Sequence, residues 1–471
     1  MAKIHGLLDV GRRGMAVSQA ALNTTSHNIA NKSTEGYSRQ RVETQTSPAV
    51  DAGNQRIGTG ASLKSINRTN NPWLEKQLER EGSNLAFLEG RSGALNRLES
   101  AFNEQTVKGL SGSMSDFFNS FRELANNPES LTARTVVRDK AAALVQTFQD
   151  VDRQIESVNS ELNNTIETGI NEVNTYSKEI AKLNEKIQSI EVAGNSANDE
   201  RDRRDLLVKK LSEKLDISYA EDTKSGMINI TSGKTGILVA GTSSASLKVG
   251  KDAAGQIAVL YPMSEKGTQV NITEQFKRGS MGGALELRDG SVSEIRAQLA
   301  DLAYNLAAEV NEAHSEGYDR YSQKGMQFFS LPQDGSFDLS SLRVNEQISN
   351  DVGRIAAGAK PNAPGDNTTA NVIHSLQFKH VMGADRTFTF DNFFNSKVGE
   401  IGTMNQTARA NLESQKNIHD QLKNVRESIS GVSLDEEAQK MIEFQKSYEA
   451  SARVIRMADE MFETVLSLKR L

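Results

Sequence analysis

Histidines and carboxylates are the side chains of this sequence that could hold a metal ion or transfer a proton. Among six histidines, His374 and His380 lie closest together, and their spacing matches neither a one-turn helical metal pair nor a zinc finger. No third ligand stands near them, so the pattern predicts surface histidines and no metal site. Cysteine is absent, which excludes disulfides, thiolate metal sites and cysteine nucleophiles.

Residues 199–205 form the densest cluster of ionisable side chains, with acidic and basic residues interleaved. Such alternation on a helix is typical of exposed ion pairs that contribute a few tenths of a kcal/mol each, and Arg288 with Asp289 has the same interpretation. The glycines between residues 279 and 283 lack the lysine and hydroxyl of a phosphate-binding loop, and no Gly-x-Ser-x-Gly nucleophile motif occurs. We therefore predict no catalytic residue, no cofactor, no metal and no enzyme.

Composition favours a long, mostly helical chain with more than one domain. A chain of 471 residues exceeds the roughly 250 to 300 residues at which single cores stop growing. Hydrophobic residues make up 37%, aromatic residues 6%, and prolines number only seven, which suits elongated helical domains. The net charge of -6 and the lack of a basic stripe argue against nucleic-acid binding. No apolar run is long enough for a membrane span or resembles a cleaved signal peptide, so we expect neither membrane insertion nor a cleaved leader.

Two apolar stripes at heptad spacing lie one at each end of the chain. The predicted helices must position these two surfaces. Seven-residue spacing keeps one face of a helix against a partner helix. Neither stripe can bury itself alone, so we expect the two terminal helices to pair as a coiled coil. The predicted assembly seam consists of Leu8, Met15, Leu22, Ile29, Met441, Phe444, Tyr448, Ile455, Ala458, Phe462 and Val465.

The order of predicted elements between these ends is bundle, β insertion, bundle. Period-3.6 patterns predict helices over 4–30, 72–98, 110–124, 132–190, 201–215, 283–314, 371–378 and 393–428, and residues 433–436 fit a capping box that opens a last helix. Short β-favouring runs occupy 217–276. The fold class is therefore mainly α with a small β-rich insertion. The predicted domains are a terminal coiled coil (1–47 and 433–471), a discontinuous helical bundle (48–215 and 283–432) and an inserted β-rich domain (216–282).

An alternative interpretation makes the terminal stripes ordinary core faces of one globular domain. Two observations favour pairing and assembly instead. Gly11, Gly14, Ser18 and neighbouring threonines dilute the first stripe, so that helix should be marginal when isolated. Residues 1–47 carry a net charge of +3 and residues 433–471 a net charge of -2, which gives a modest, salt-sensitive attraction.

Several segments resemble the bacterial flagellar axial proteins, the family of rod, hook and junction subunits. The N-terminal segments 21–31 and 34–40, which end in Tyr37, Ser38, Arg39 and Gln40, are similar to the signature of that family. Segments 430–437 and 444–461 are similar to its C-terminal motif, and internal resemblance covers 117–128, 202–207 and 310–319. Glu35 stands where a proline is frequent in the family, and the inserted domain is short.

The resemblance implies a structural subunit that is exported through the flagellar type III apparatus and joins hook to filament outside the cell. Its implied partners are copies of itself in a ring, the flagellar hook protein, flagellar hook-associated protein 3 and a cytoplasmic export chaperone. Two alternatives stay open at this point. One is a different axial protein, such as hook-associated protein 3 itself, and the other is a secreted enzyme that uses the β insertion as a binding module.

Overall fold

The architecture is dominated by long helices in a computed structural model that describes residues 2–52, 55–102, 109–233, 236–252, 255–263, 267–332, 337–383 and 385–468. The first and last residues of the predicted terminal domain, 1 and 469–471, lie outside this range. The α-helices are α1 Ala2–Ala30, α2 Pro72–Phe102, α3 Leu110–Asn126, α4 Leu131–Val192, α5 Asn198–Lys214, α6 Gly279–Leu287, α7 Ser293–Glu316, α8 Glu346–Asn350, α9 Thr368–Ser375, α10 Phe390–Ser430 and α11 Leu434–Leu468.

The strands form small antiparallel sheets that occupy the segments between helices. They are β1 Gln40–Thr46, β2 Val50–Ala52, β3 Gln55–Ile57, β4 Ala61–Arg68, β5 Ile217–Glu221, β6 Ile228–Ser232, β7 Gly236–Ala240, β8 Ser243–Ser244, β9 Lys248–Lys251, β10 Ile257–Pro262, β11 Gln269–Asn271, β12 Phe329–Ser330 and β13 Arg343–Val344. The β1–β4 ribbon runs in register from Gln40 opposite Arg68 to Thr46 opposite Ala61, with a bulge after Glu43. In the predicted β insertion, the strand orders are β5-β6-β7-β8 and β11-β10-β9.

The chain divides into two compact units. Unit 1 contains residues 1–86, 168–279 and 414–471, and therefore both terminal helices and the β insertion. Unit 2 contains residues 87–167 and 280–413. The three-domain scheme inferred from composition stays a prediction.

An aromatic cluster forms the core of unit 2. Phe117, Phe118, Phe121, Phe328 and Phe329 are each at most 1% exposed, with ring centroids 5.0 to 5.9 Å apart. Offset and edge-on aromatic pairs add about 0.5 to 1.5 kcal/mol each beyond their buried area. The helix predicted over 110–124 from its phenylalanine pattern thus supplies the largest side chains of this core.

The predicted fold class is confirmed, since the chain is mainly helical with small sheets and long terminal helices. Pro72 begins α2, where its missing N–H costs nothing. The helix predicted over 283–314 is two helices, α6 and α7, joined by a π-helical turn at Arg288–Val292. Glu436 of the predicted capping box forms an ion pair with Arg39 at 2.8 Å.

The interpretation of three polar residues as exposed was wrong. Asp202, Arg204 and Arg288 are only 6%, 1% and 4% exposed, because each has polar partners inside the fold. The Arg204 guanidinium donates to the carbonyl oxygen of Gly226 at 2.6 Å and to Asn184 Oδ1 at 3.2 Å. Such satisfied donors remove much of the desolvation penalty that makes buried charges rare.

His314 is completely buried in unit 2. Its Nδ1–H donates to the carbonyl oxygen of Met326 at 2.6 Å, and its Nε2 accepts the backbone N–H of Ala356 at 2.8 Å. Burial lowers the pKa of His314 to about 4, so the imidazole is neutral at physiological pH. This histidine therefore holds two chain segments together.

Spanning a membrane requires a helix of about 20 mostly apolar residues. Within the described ranges, no helix combines the length and the apolar character that crossing a bilayer requires.

Candidate assembly surface and its polar junction

Helices α1 and α11 of unit 1 pack against each other in antiparallel fashion. The His5 and Phe462 rings lie 5.8 Å apart at one end, and Asn28 Nδ2 donates to Glu437 Oε2 at 2.9 Å at the other. Between them, a Cβ at Gly11 would lie 2.6 Å from Ile455 Cγ1 and 3.3 Å from the Ser451 carbonyl oxygen. Helices this close need small residues, so the glycines that dilute the first stripe permit the contact.

The most buried face of α1 consists of small and polar residues at heptad spacing. Gly11, Ser18 and Thr25 are buried, and Ala21 and Asn28 continue the same face. The predicted apolar residues Leu8, Met15, Leu22 and Ile29 lie beside this face and are half-buried. The small residues of α1 pack against α11. The larger apolar side chains of α1 lie beside this contact and therefore stay partly accessible to solvent.

The predicted residues of α11 are also mostly half-buried. Ala458 is buried, at 1% exposed, whereas Val465 is 39% exposed. The remaining predicted residues are half-buried, and they are Met441, Phe444, Tyr448, Ile455 and Phe462. The role of the two stripes as an assembly seam and the coiled coil between α1 and α11 stay predictions.

A row of apolar side chains on α11 is exposed to solvent in the isolated chain. Met457 is 53% exposed, Met461 50% and Val465 39%. Residues 457, 461 and 465 are spaced by four and therefore share one face of the helix. Apolar side chains grouped in this way mark surfaces that contact other proteins.

Asn28 is the centre of a buried polar junction where α1 meets α11 and the β1–β4 ribbon. Its Nδ2 donates to the Gln40 carbonyl oxygen at 3.0 Å as well as to Glu437. Its Oδ1 accepts the backbone N–H of Gln40 at 2.9 Å and the Tyr37 hydroxyl at 2.7 Å. Asn28 is 1% exposed and uses both of its side-chain polar atoms, so it fixes the chain reversal after α1.

A buried ion pair joins the same reversal to the start of α11. Arg39 Nε donates to Glu437 Oε1 at 2.8 Å, and the two side chains are 9% and 1% exposed. Burial lowers the pKa of Arg39, but hydrogen bonds and charge from Glu437 and Glu436 outweigh burial and leave the pKa above its ordinary value. The Arg39 backbone N–H also donates to the Ser430 carbonyl oxygen at 2.9 Å. Residues about 400 positions apart in sequence are therefore held in one register.

Helix α5 supplies the other wall of the junction. Asp202 accepts the backbone N–H of Ser38 at 2.8 Å and the Arg68 guanidinium at 2.8 Å. Burial raises the pKa of Asp202, and the hydrogen bond from Arg68 offsets part of that increase. Gln40 Nε2 donates to Asp199 Oδ1 at 2.7 Å. The charge-rich segment predicted to be exposed thus anchors the N-terminal signature.

The turn at Gly36 is stabilised from α10. Gly36 has a φ of 81°, a left-handed conformation that glycine adopts without a steric penalty. Arg426 donates to the Tyr37 carbonyl oxygen at 3.3 Å and pairs with Glu75 at 3.1 Å. The turn is held by a half-buried arginine, even though Glu35 replaces the proline that is frequent in the family.

The sequence analysis did not predict that the residues of the polar junction form one site. Segments 21–31, 34–40 and 430–437 contain Asn28, Tyr37, Arg39 and Glu437 and resemble the family, but the sequence does not indicate that these side chains contact each other. The available signal was the clustering of polar residues immediately after an apolar stripe. Within the described ranges, no group of three or more histidine and acidic side chains could hold a metal ion.

Three models of known protein families match parts of this sequence. A model described as "Flagellar hook-associated protein FlgK helical domain" matches residues 95–329. The "Flagella basal body rod protein" model matches residues 8–37, which include α1 and the turn. The "Flagellar basal body rod FlgEFG protein C-terminal" model matches residues 426–468, which include α11. The paired terminal helices and the helical middle thus define a flagellar axial protein.

Full-length relatives narrow the class. Flagellar hook-associated protein 1 of Bacillus subtilis (strain 168) is 28% identical over 98% of this chain and 97% of its own length. The protein of the same name from Salmonella typhimurium is 25% identical over 99% of this chain and 100% of its own length. The chain belongs to the flagellar hook-associated protein 1 family.

A solved structure shares the fold. It is the flagellar hook junction protein FlgK from Burkholderia pseudomallei, with a TM-score of 0.68 and 15% sequence identity. The match covers 75% of this chain and 100% of that chain. Because the sequence identity is only 15%, this similarity shows a shared fold and nothing more specific.

Proposed function

We propose that this protein is a non-enzymatic structural subunit of the bacterial flagellum that joins the hook to the filament and permits filament assembly. The main observation behind the proposal is the packing of α1 against α11. Buried hydrogen bonds and an ion pair hold the two helices together at the polar junction, and α11 exposes apolar side chains. In this proposal, the half-buried stripes and the exposed row on α11 pack against neighbouring subunits. Burial of each large apolar side chain there would contribute about 1.5 to 3 kcal/mol.

The proposed partners are those that the resemblance to flagellar axial proteins implies. Copies of this chain form a ring, the flagellar hook protein lies on one side, and flagellar hook-associated protein 3 lies on the other. A cytoplasmic export chaperone binds the C-terminal region before export. The apolar residues exposed on α11 support this last proposal, since an unassembled subunit needs such surface covered.

Flagella from a deletion strain test the function as a whole. We expect hooks without filaments by electron microscopy, and restored filaments when the wild-type chain is supplied. Normal filaments in the deletion strain would contradict the proposal.

A charged substitution in the seam tests the surface. Ile455→Asp places a carboxylate where α1 and, in the assembly, neighbouring chains pack, so filaments should be lost. Met461→Asp does the same on the exposed row, where half of the side chain faces solvent, so the monomer should lose little stability and still fail to assemble. The matched control is Val192→Asp at the end of α4, where the side chain is 83% exposed. Normal incorporation of both the Ile455→Asp and the Met461→Asp variant would rule out this surface.

A further inference from the structure

A polar cavity in unit 2 lies between the start of α4 and the loops that follow α7. Its volume is about 280 Å³, which is several times the roughly 30 Å³ that one water occupies in the liquid. Residues 128–134 form one wall, and residues 318–322 and 357–366 form the others. Two segments with family resemblance, 117–128 and 310–319, end at this cavity, and the proposed assembly surface does not use them.

Arg134 is a buried cation in the wall of this cavity. Its residue is 3% exposed, and its guanidinium donates to the carbonyl oxygens of Ile355 and of Pro128, the latter at 2.8 Å. Its Nε–H has no acceptor among the described residues, and no carboxylate in that part of the chain lies within ion-pair distance. Burial, with the nearby charge of Arg320, lowers the pKa of Arg134 to about 10, and the charge of Asp319 opposes this decrease, so Arg134 stays cationic at neutral pH. A buried donor with no partner is costly unless a ligand supplies an acceptor.

Two further cations lie at the exposed edge of the same cavity. Arg320 and Lys360 are exposed, and neither forms an ion pair with a side chain that the structure describes. The carboxylates on the same walls are Glu129, Asp319 and Asp366. Glu129 is exposed, and the other two bind loop N–H groups. Three acidic and three basic side chains thus line the cavity, and in the described ranges no ion pair joins Arg134, Arg320 or Lys360 to a carboxylate.

The contacts of those two carboxylates fix the cavity walls. Asp319 Oδ1 accepts the N–H groups of Tyr321 and Gln323, both at 2.8 Å. Asp366 Oδ2 accepts those of Ala359 and Lys360 at 2.7 and 3.0 Å. These bonds hold the loops that carry Arg320 and Lys360, so the cations are placed before any ligand arrives.

The cavity wall also contains strained backbone. Ser322 and Asn362 have φ values of 61° and 55°, in the left-handed region that non-glycine residues seldom adopt. The two residues hold each other, because the Ser322 hydroxyl bonds Asn362 Oδ1 at 2.9 Å and accepts the Asn362 N–H at 3.0 Å. Strain of this kind persists where surrounding contacts over-determine it, and it clusters at ligand-binding sites.

We propose that this cavity binds an oxyanion, with the Nε–H of Arg134 as the buried donor and Arg320 and Lys360 as the cations at its edge. Guanidinium groups match the planar oxygens of carboxylate and the oxygens of phosphate. The same chemistry has two sources, a free phosphate ion or a carboxylate side chain of a neighbouring protein. The site lies apart from α1 and α11 in sequence and belongs to the other unit.

Thermal melting of the full-length chain tests the site with sodium phosphate and with N-acetyl-aspartate amide, each against sodium chloride at equal ionic strength. Binding to the folded state raises Tm, and tens of millimolar ligand should raise it by about 2 °C. Arg320→Gln with Lys360→Gln should remove most of the shift and leave Tm without ligand unchanged, because both residues are exposed. The matched control is Arg122→Gln, an exposed arginine of α3 outside the cavity, which should keep the full shift.

Hydrogen exchange ties the effect to the cavity. Binding should slow exchange in residues 318–323 and 359–364 of the wild type and not of the double variant. A shift with phosphate alone identifies a free-anion site, and a shift with N-acetyl-aspartate amide identifies a site for a protein carboxylate. No shift with either anion, or the same shift in the double variant, overturns the proposal.

Discussion

The two ends of the α1–α11 pair differ in how they are held together. At the junction end, residues 24–40 meet residues 430–440 through buried hydrogen bonds and the ion pair between Arg39 and Glu437. At the open end, residues 5–15 meet residues 451–466 through small residues and half-buried apolar side chains, and Met461 is 50% exposed. The first end fixes register, and the second leaves apolar surface without a partner in the monomer.

This difference has a physical cause. A buried ion pair adds little net stability, but losing one partner is costly, so such pairs discriminate against the wrong register. Apolar contact is non-directional and tolerates several partners. A subunit that joins different neighbours benefits from a junction end that fixes the register of its own helices and an open end that can contact several partners.

Among the variants that test the difference between the two ends, removal of the Glu437 side chain should cause the largest loss of stability. Glu437→Ala leaves Arg39 buried without its main partner and removes one acceptor of Asn28. We expect a loss of about 3 to 5 kcal/mol in the free energy of unfolding of unit 1. Urea denaturation followed by circular dichroism measures this loss.

Glu436→Ala is the matched control. Glu436 also pairs with Arg39, but its side chain is 60% exposed, so its loss should cost less than about 1 kcal/mol. Equal effects of the two alanines would show that burial does not distinguish the junction end.

A larger residue at Gly11 tests the open end. Gly11→Val places a side chain 2.6 Å from Ile455 Cγ1 and near the Ser451 carbonyl oxygen, so α11 must move. We expect a destabilisation of about 1 to 3 kcal/mol, measured in the same urea experiment. Gly6→Ala is the control, since no atom lies within 4 Å of the added Cβ and helix propensity should stabilise it by up to about 1 kcal/mol. If valine at position 11 were neutral, the close approach would be refuted.

The smallest expected effect is the alkaline pH dependence of the junction end. Burial, with the charge of Asp199, raises the pKa of the Tyr37 hydroxyl well above its ordinary value. The unfolded chain loses this proton near pH 10 while the folded chain keeps it, so this contribution is complete below pH 10 and is lost as pH rises. The slope is at most about 1.4 kcal/mol per pH unit. Tyr37→Phe should flatten stability between pH 9 and 11, and an unchanged slope would exclude Tyr37 as its source.

Much of the fold was predictable from the sequence because its helices carry strong local signals. The buried face of α4 includes Ile155, Ile166, Ile170 and Val173 at the predicted spacing. The β insertion was visible as a change in composition after Asp216. Such signals depend on neighbours a few residues away.

The contacts of the candidate site were not predictable in the same way. Asn28 and Glu437 lie 409 positions apart, and nothing local indicates that their side chains meet. Asp202 and Arg204 looked like exposed charges because an isolated helix would expose them, and only tertiary partners make their burial tolerable. The predicted stripes were found on the correct helices, but the small residues beside them form the closest contact.

Hydrogen exchange along α1 and α11, in the monomer and in assembled flagella, tests the central claim most directly. In the monomer, we expect residues 6–17 and 451–466 to exchange at least about tenfold faster than residues 24–30 and 434–440, because few buried contacts hold the open end. In assembled flagella, the open end should become as protected as the junction end. Strong, uniform protection of both helices in the monomer, or no gain on assembly, would contradict the account.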